Sequence, residues 1–190
     1  MSGVINIGFS YHHMKKDMRK VNNCAFIDGA NLYNGVDSSG WKLDYRRFRV
    51  WLKEKYGVAT AYLFIGLIPK QKDLYTFLQQ AGYTLVFKET TYGGDGKVKG
   101  NCDADLVLWA VREAYEGTYD KAVLVSSDGD YASLVTFLQE KNKLQEVLSP
   151  RNKCSILLKR TGVKICYLND KRSILEAAQK EKAPDADETA

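Results

Sequence analysis

The sequence predicts an α/β protein whose central sheet is parallel or mostly parallel, with helices over both faces. Three observations predict it. Short apolar runs rich in β-branched residues, Val123-Leu124-Val125 being the clearest, stop abruptly at small or acidic residues. Stretches with helical spacing separate these runs. The chain has 190 residues, 45% of them hydrophobic, which is the size of one ordinary domain with a real core.

Taken in order, residues 1–22 read as a basic arm carrying Lys15, Lys16, Arg19 and Lys20. The folded domain is expected over 23–180. Cys24-Ala25-Phe26-Ile27-Asp28 reads as a central strand, and Gly29-Ala30-Asn31-Leu32 as a tight turn. Residues 41–56 place Leu43, Phe48, Trp51, Leu52 and Tyr56 near helical spacing and close on Gly57. A second strand is expected at 59–67, a helix at 72–80 stopped by Gly82, and a third strand at 83–87. Thr90 to Gly100 is a glycine-rich loop. A helix over 101–115 turns Val107, Ala110 and Ala114 to the sheet. A fourth strand over 121–126, a helix over 131–141 and a fifth strand over 144–148 follow. A short helix at 154–158, a sixth strand at 163–168 and a last helix at 173–179 complete the domain. Residues 181–190 form an acidic tail whose composition predicts disorder.

Charge and cysteine content narrow the function. Lys plus Arg number 28 against 23 acids, a net +5, and three of those acids lie in the last seven residues. The remainder is therefore +8, which points to a polyanionic partner. Cys24, Cys102, Cys154 and Cys166 form no CxxC pattern and have no close histidine, which argues against a zinc framework. Free thiols suit a reducing, cytoplasmic setting. No apolar run approaches the length of a membrane span.

Strand ends supply the candidate chemistry. In a parallel sheet the C-terminal ends of the strands and the starts of the following helices share one edge, where ligands bind. Asp28 ends the first strand, and Asp128 and Asp130 end the fourth. The helix after the third strand brings Asn101, Asp103 and Asp105 to the same edge. Helical phase favours Asp103, which shares the sheet-facing stripe with Val107 and Ala110. Each acid alone is explained as a helix cap: Asp103 and Asp130 before their helices, and Asp28 bracing the turn before Asn31. Gathered carboxylates, however, raise each other's pKa unless a cation neutralises them. An oxygen-only donor set favours Mg²⁺ or Mn²⁺.

Ile27-Asp28-Gly29-Ala30-Asn31-Leu32, Lys99-Gly100-Asn101-Cys102-Asp103, Val125-Ser126-Ser127-Asp128-Gly129-Asp130-Tyr131 and Ser149-Pro150-Arg151 resemble the ordered motifs of the NYN domain, the LabA branch of the PIN-like nucleases. The resemblance spans about Cys24 to Glu176. It implies a PIN-like three-layer α/β/α sandwich with five or six strands and a metal-dependent RNA-cleaving site. Residue by residue, it implies an acidic cluster of Asp28, Asp103, Asp128 and Asp130, with Asn31 and Ser126 as polar helpers. This chain departs from the pattern at Ser127, where the family usually has glycine, a change expected to narrow a phosphate's approach. It departs again at Trp109, where some relatives carry a further acid.

The expected activity is hydrolysis of RNA, in single-stranded form. Asp28, Asp103 and Asp128 would hold the ion, with Asp105 and Asp130 as further candidates, and Asn31 would fix the phosphate. Lys99 and Arg151 are candidate phosphate contacts, while Arg46, Arg47 and Arg49 read as a solvated helix face. Tyr33, Tyr92 and Tyr131 are candidates for stacking on bases. The alternative, from another class, is a non-catalytic RNA-binding module that keeps the acidic cleft. A homodimer would complete a basic groove.

Overall fold

The computed structural model describes residues 21–88, 91–92, 98–99 and 102–178. The basic arm up to residue 20, most of the glycine-rich loop, Asn101 and the acidic tail lie outside the described residues.

Six strands form one sheet: β1 (Asn23–Asp28), β2 (Val58–Gly66), β3 (Thr84–Lys88), β6 (Ala122–Val125), β7 (Leu144–Ser149) and β8 (Ile165–Tyr167). Every pairing between them is parallel. Two two-residue strands, β4 (Thr91–Tyr92) and β5 (Val98–Lys99), pair antiparallel in the segment expected to be only a loop. The helices are α1 (Gly29–Asp37), α2 (Tyr45–Tyr56), α3 (Lys72–Gln80), α4 (Asp103–Glu116), α5 (Ala132–Glu140), α6 (Ile156–Arg160) and α7 (Arg172–Leu175).

Period-two alternation builds the layers. Along β1, Ala25 and Ile27 point to one face and Cys24 and Phe26 to the other, and all are buried. The first face packs with Val123, Val125 and Leu148 against Leu32 and Val36 of α1, Phe48 and Leu52 of α2, Leu78 of α3 and Leu175 of α7. The second packs with Leu124 and Val147 against Leu106 and Ala110 of α4, Leu134, Val135 and Leu138 of α5, and Leu158 of α6. The result is the three-layer α/β/α sandwich that the sequence predicts, with a fully parallel sheet.

Strand order is β3-β2-β1-β6-β7-β8. The chain winds outward from β1 in one direction and, after α4, outward from β6 in the other. Between β1 and β6 the winding reverses, which opens a crevice at their C-terminal ends where doubly wound sheets bind ligands. The 28–34 and 126–131 segments meet there.

The largest departure from expectation is α1, where a tight turn was expected. Only Leu32 and Val36 carry the apolar stripe, and Gly35 between them hides it. Asp28 starts the helix by accepting the Asn31 amide at 3.0 Å. Elsewhere, caps trim the expected bounds. Asp44 accepts the amides of Arg46 and Arg47 and delays α2 to Tyr45, while Ser155 does the same for α6. After α7 ends at Leu175, Glu176 makes an antiparallel bridge to Leu43. Among the described residues no helix is long and apolar enough to cross a membrane.

Candidate active site

Four acids gather at the crevice on three supports: the end of β1, the start of α4 and the turn after β6. Asp28 ends β1 and is 7% exposed. Its Oδ1 accepts the Asn31 amide at 3.0 Å, and its Oδ2 lies 3.2 Å from the Tyr131 hydroxyl. Burial pushes its pKa above the ordinary carboxylate value, and the charges of Asp103 and Asp128 push the same way. The Asn31 amide and the Tyr131 hydroxyl oppose them. Asp103 is the first residue of α4, and its Oδ1 accepts from the Tyr131 hydroxyl at 2.5 Å.

Asp128 and Asp130 sit on the 3-10 turn Gly129–Tyr131 that follows β6. Asp128 caps that turn by accepting the Asp130 amide at 3.1 Å. The capping role expected of Asp28 holds, and those expected of Asp103 and Asp130 do not. Asp28 and Asp128 cap, whereas α4 is preceded by Cys102 and α5 by Tyr131, neither of which makes a side-chain capping bond.

Asp103, Asp128 and Asp130 each offer a carboxylate oxygen, and the three oxygens lie within 4.8 Å of one another. Oxygens on opposite sides of a bound Mg²⁺ lie about 4.2 Å apart, twice its usual contact distance. The donor set therefore fits a small hard cation after sub-ångström adjustment. Asp28 stands beside this group, joined to Asp103 through Tyr131.

Asp105, a further candidate ligand, points elsewhere. Its Oδ2 lies 2.8 Å from Lys88 Nζ in the next groove along the sheet edge. The helix phase that favoured Asp103 is the reason, because residues two apart on a helix face different ways. Trp109 packs against Tyr62 and Phe64, with ring centroids 5.8 and 6.3 Å away, so that position serves the core.

Of the polar helpers, Ser126 turns inward, while Asn31 is half-buried and lines the cleft. Ser126 is fully buried, and its Oγ accepts the Asp128 amide at 3.1 Å. It orients an acid and offers no surface to a substrate. Asn31 Oδ1 accepts both the amide and the hydroxyl of Ser127, each at 2.9 Å, tying α1 to the loop after β6. That oxygen is committed to the scaffold. Ser127, which stands where the family usually has glycine, turns its hydroxyl to Asn31. Tyr131 is buried, which removes it as a stacking platform, whereas Tyr33 on α1 is exposed.

The cleft itself has a volume of about 320 Å³. Asp28, Asp103, Asp128, Asn31 and Arg151 all line it, as the sequence suggested. Asn34, Cys102 and Gly66 line it as well. Sequence reasoning missed these because their positions depend on α1 and on the β2 terminus meeting there. Burial and the neighbouring acids push the Cys102 thiol up to about 11, so it is not an ionised ligand at neutral pH. Lys99 belongs to the short hairpin, and its side chain lies outside the described residues. So does that of Tyr92.

Arg46 and Arg47 of α2 are exposed, as expected of a solvated helix face, whereas Arg49 is half-buried and tied to the fold. Arg49 donates to the carbonyls of Gly82, Val58 and Ala59, and Arg46 lies 5.0 Å over the Phe77 ring.

The NYN domain family profile matches residues 24–168. A curated relative, the low amplitude and bright protein LabA of Synechococcus elongatus, is 26% identical over 165 residues, covering 82% of this chain and 88% of that protein. A crystal structure of a protein of unknown function from Vibrio parahaemolyticus superposes with a TM-score of 0.66 at 25% identity, covering 82% of this chain and 97% of its own.

Proposed function

The chain belongs to the NYN domain family, and on that premise we propose that it is a divalent-metal-dependent ribonuclease acting on single-stranded RNA. NYN domains are part of the PIN-like nuclease superfamily. The observation that carries the reading is the convergence of Asp103, Asp128 and Asp130 at the point where the sheet reverses its winding. Mg²⁺ and Mn²⁺ suit these oxygen donors best. Bound there, such an ion supplies charge neutralisation at the phosphodiester and a more acidic water.

The chain's own residues divide the remaining work. Asp103, Asp128 and Asp130 hold the cation. Asp28, with one oxygen spent on the α1 amide, orients the group from behind. Ser126 aims Asp128 through its amide, and Asn31 locks the turn through Ser127. Arg151, exposed on the loop after β7, binds a phosphate of the strand entering the cleft. A cytoplasmic setting fits four free cysteines.

Replacing Asp128 by Asn keeps the cap, because an amide oxygen accepts the same hydrogen bond, and removes one charge. The expected outcome is loss of Mn²⁺-dependent cleavage of single-stranded RNA. Unchanged cleavage in that variant sinks the proposal. Salt-sensitive RNA binding by the native chain without turnover in any divalent ion assigns it to the non-catalytic class instead.

A further inference from the structure

Tyr131 touches two of the acids at once. It is fully buried, in the same core layer as Leu106, Leu134 and Phe26. Its hydroxyl lies 2.5 Å from Asp103 Oδ1 and 3.2 Å from Asp28 Oδ2. Those carboxylates come from different elements, the end of β1 and the first turn of α4. A phenol has a single proton, so one acid receives it at any moment while the oxygen stays between both.

The turn that carries Tyr131 is clamped as well. A Cβ at Gly129 would lie 2.4 Å from Ser155 Oγ and 3.1 Å from Leu157 Cδ1, so α6 presses directly on the turn. Two carboxylates this close repel one another, and without a donor between them they would splay apart. A ligand set that is already gathered binds its ion more tightly, because less ordering remains to be done on binding.

We propose that Tyr131 is a positioning residue of the metal centre, a buried post whose hydroxyl anchors the ligand Asp103, with Asp28 behind it, so that a divalent cation meets Asp103, Asp128 and Asp130 as a preformed set. The proposal rests on the divalent-ion reading of the site but does not require that the site cleave RNA.

The test is a titration of the EDTA-stripped full chain with Mn²⁺ alone, with free Mn²⁺ followed by its electron paramagnetic resonance signal. Tyr131→Phe keeps the ring and removes only the hydroxyl. Circular dichroism at 25 °C checks that it folds. Its Mn²⁺ affinity is expected to fall about tenfold, the scale on which groups that orient metal ligands act. Tyr119→Phe is the control: it removes another fully buried hydroxyl from the same core layer, one that donates to Ala110 O at 3.0 Å, away from the acids. It is expected to bind Mn²⁺ like the native chain. Equal affinity in the native and Tyr131→Phe chains overturns the proposal and leaves the nuclease reading to stand or fall on cleavage. An equal loss in both variants also overturns it, since general loosening then explains the effect. Native Mn²⁺ binding that weakens in Tyr131→Phe, with no RNA cleavage by either, upholds Tyr131 and removes the nuclease reading. A native chain that binds no Mn²⁺ overturns both.

Discussion

Asp28 shows how one residue serves both scaffold and chemistry. Its Oδ1 starts a helix, its Oδ2 faces the Tyr131 hydroxyl, and its burial opposes ionisation. A carboxyl whose folded pKa is raised binds its proton more tightly folded than unfolded. Its contribution is then fully favourable below the unfolded value of 3.8 and is lost as pH rises through the folded value. Without a cation, therefore, Asp28 destabilises the neutral-pH protein. Asp28→Asn keeps an oxygen for the Asn31 amide and carries no charge. In EDTA it is expected to melt above the native chain at pH 7, with the difference closing as pH falls toward 3.8. The same variant is expected to gain less from added Mn²⁺. Thermal melts across pH, with and without the ion, check both outcomes.

At the scale of elements, the site depends on how closely α1 approaches the neighbouring strand. Gly29 opens that helix, and a Cβ there would meet the Phe64 carbonyl oxygen at 2.7 Å and Ile65 Cγ2 at 2.4 Å. The first of these is backbone and cannot rotate away. Gly29→Ala is expected to cost about 1–3 kcal/mol, read as a lower urea midpoint at unchanged m-value. Because α1 carries Asn31, the same displacement moves the Ser127 tie and with it the Asp128 turn. The element was hard to read from sequence for a physical reason. Glycine at its first and seventh positions and two asparagines weaken local helix propensity, and a nine-residue helix at the sheet edge shows little periodicity. Strands were easier, because β1 and β6 are buried on both faces and must be continuously apolar.

For the whole molecule, the question is how a chain of net charge +5 presents an acidic cleft to a polyanion. Asp28, Asp103 and Asp128 line the crevice, and Arg151 lines it with them. A cation so placed contributes to phosphate binding without reading sequence. Arg151→Ala is expected to weaken binding of different single-stranded RNAs about equally and to reduce the salt dependence of log K by roughly one contact, a slope change of about 0.7. Binding isotherms at several salt concentrations check it. An unchanged slope would mean that the strand leaves the cleft by another route.

Taken by itself, the sequence determined the layered α/β architecture, the positions of the six sheet strands and the acids that end them. Those properties follow from hydrophobic runs and turn chemistry, which are local. Only the tertiary structure decided which acids meet. The reversal of winding between β1 and β6 brings Asp103 against Asp128 and Asp130 and ties Asn31 of α1 to Ser127 after β6. It also sets Tyr131, which reads as an ordinary aromatic in the chain, between two carboxylates from distant segments. Such convergence depends on strand order and on the last ångström of packing, and neither is written in the spacing of residues along one stretch.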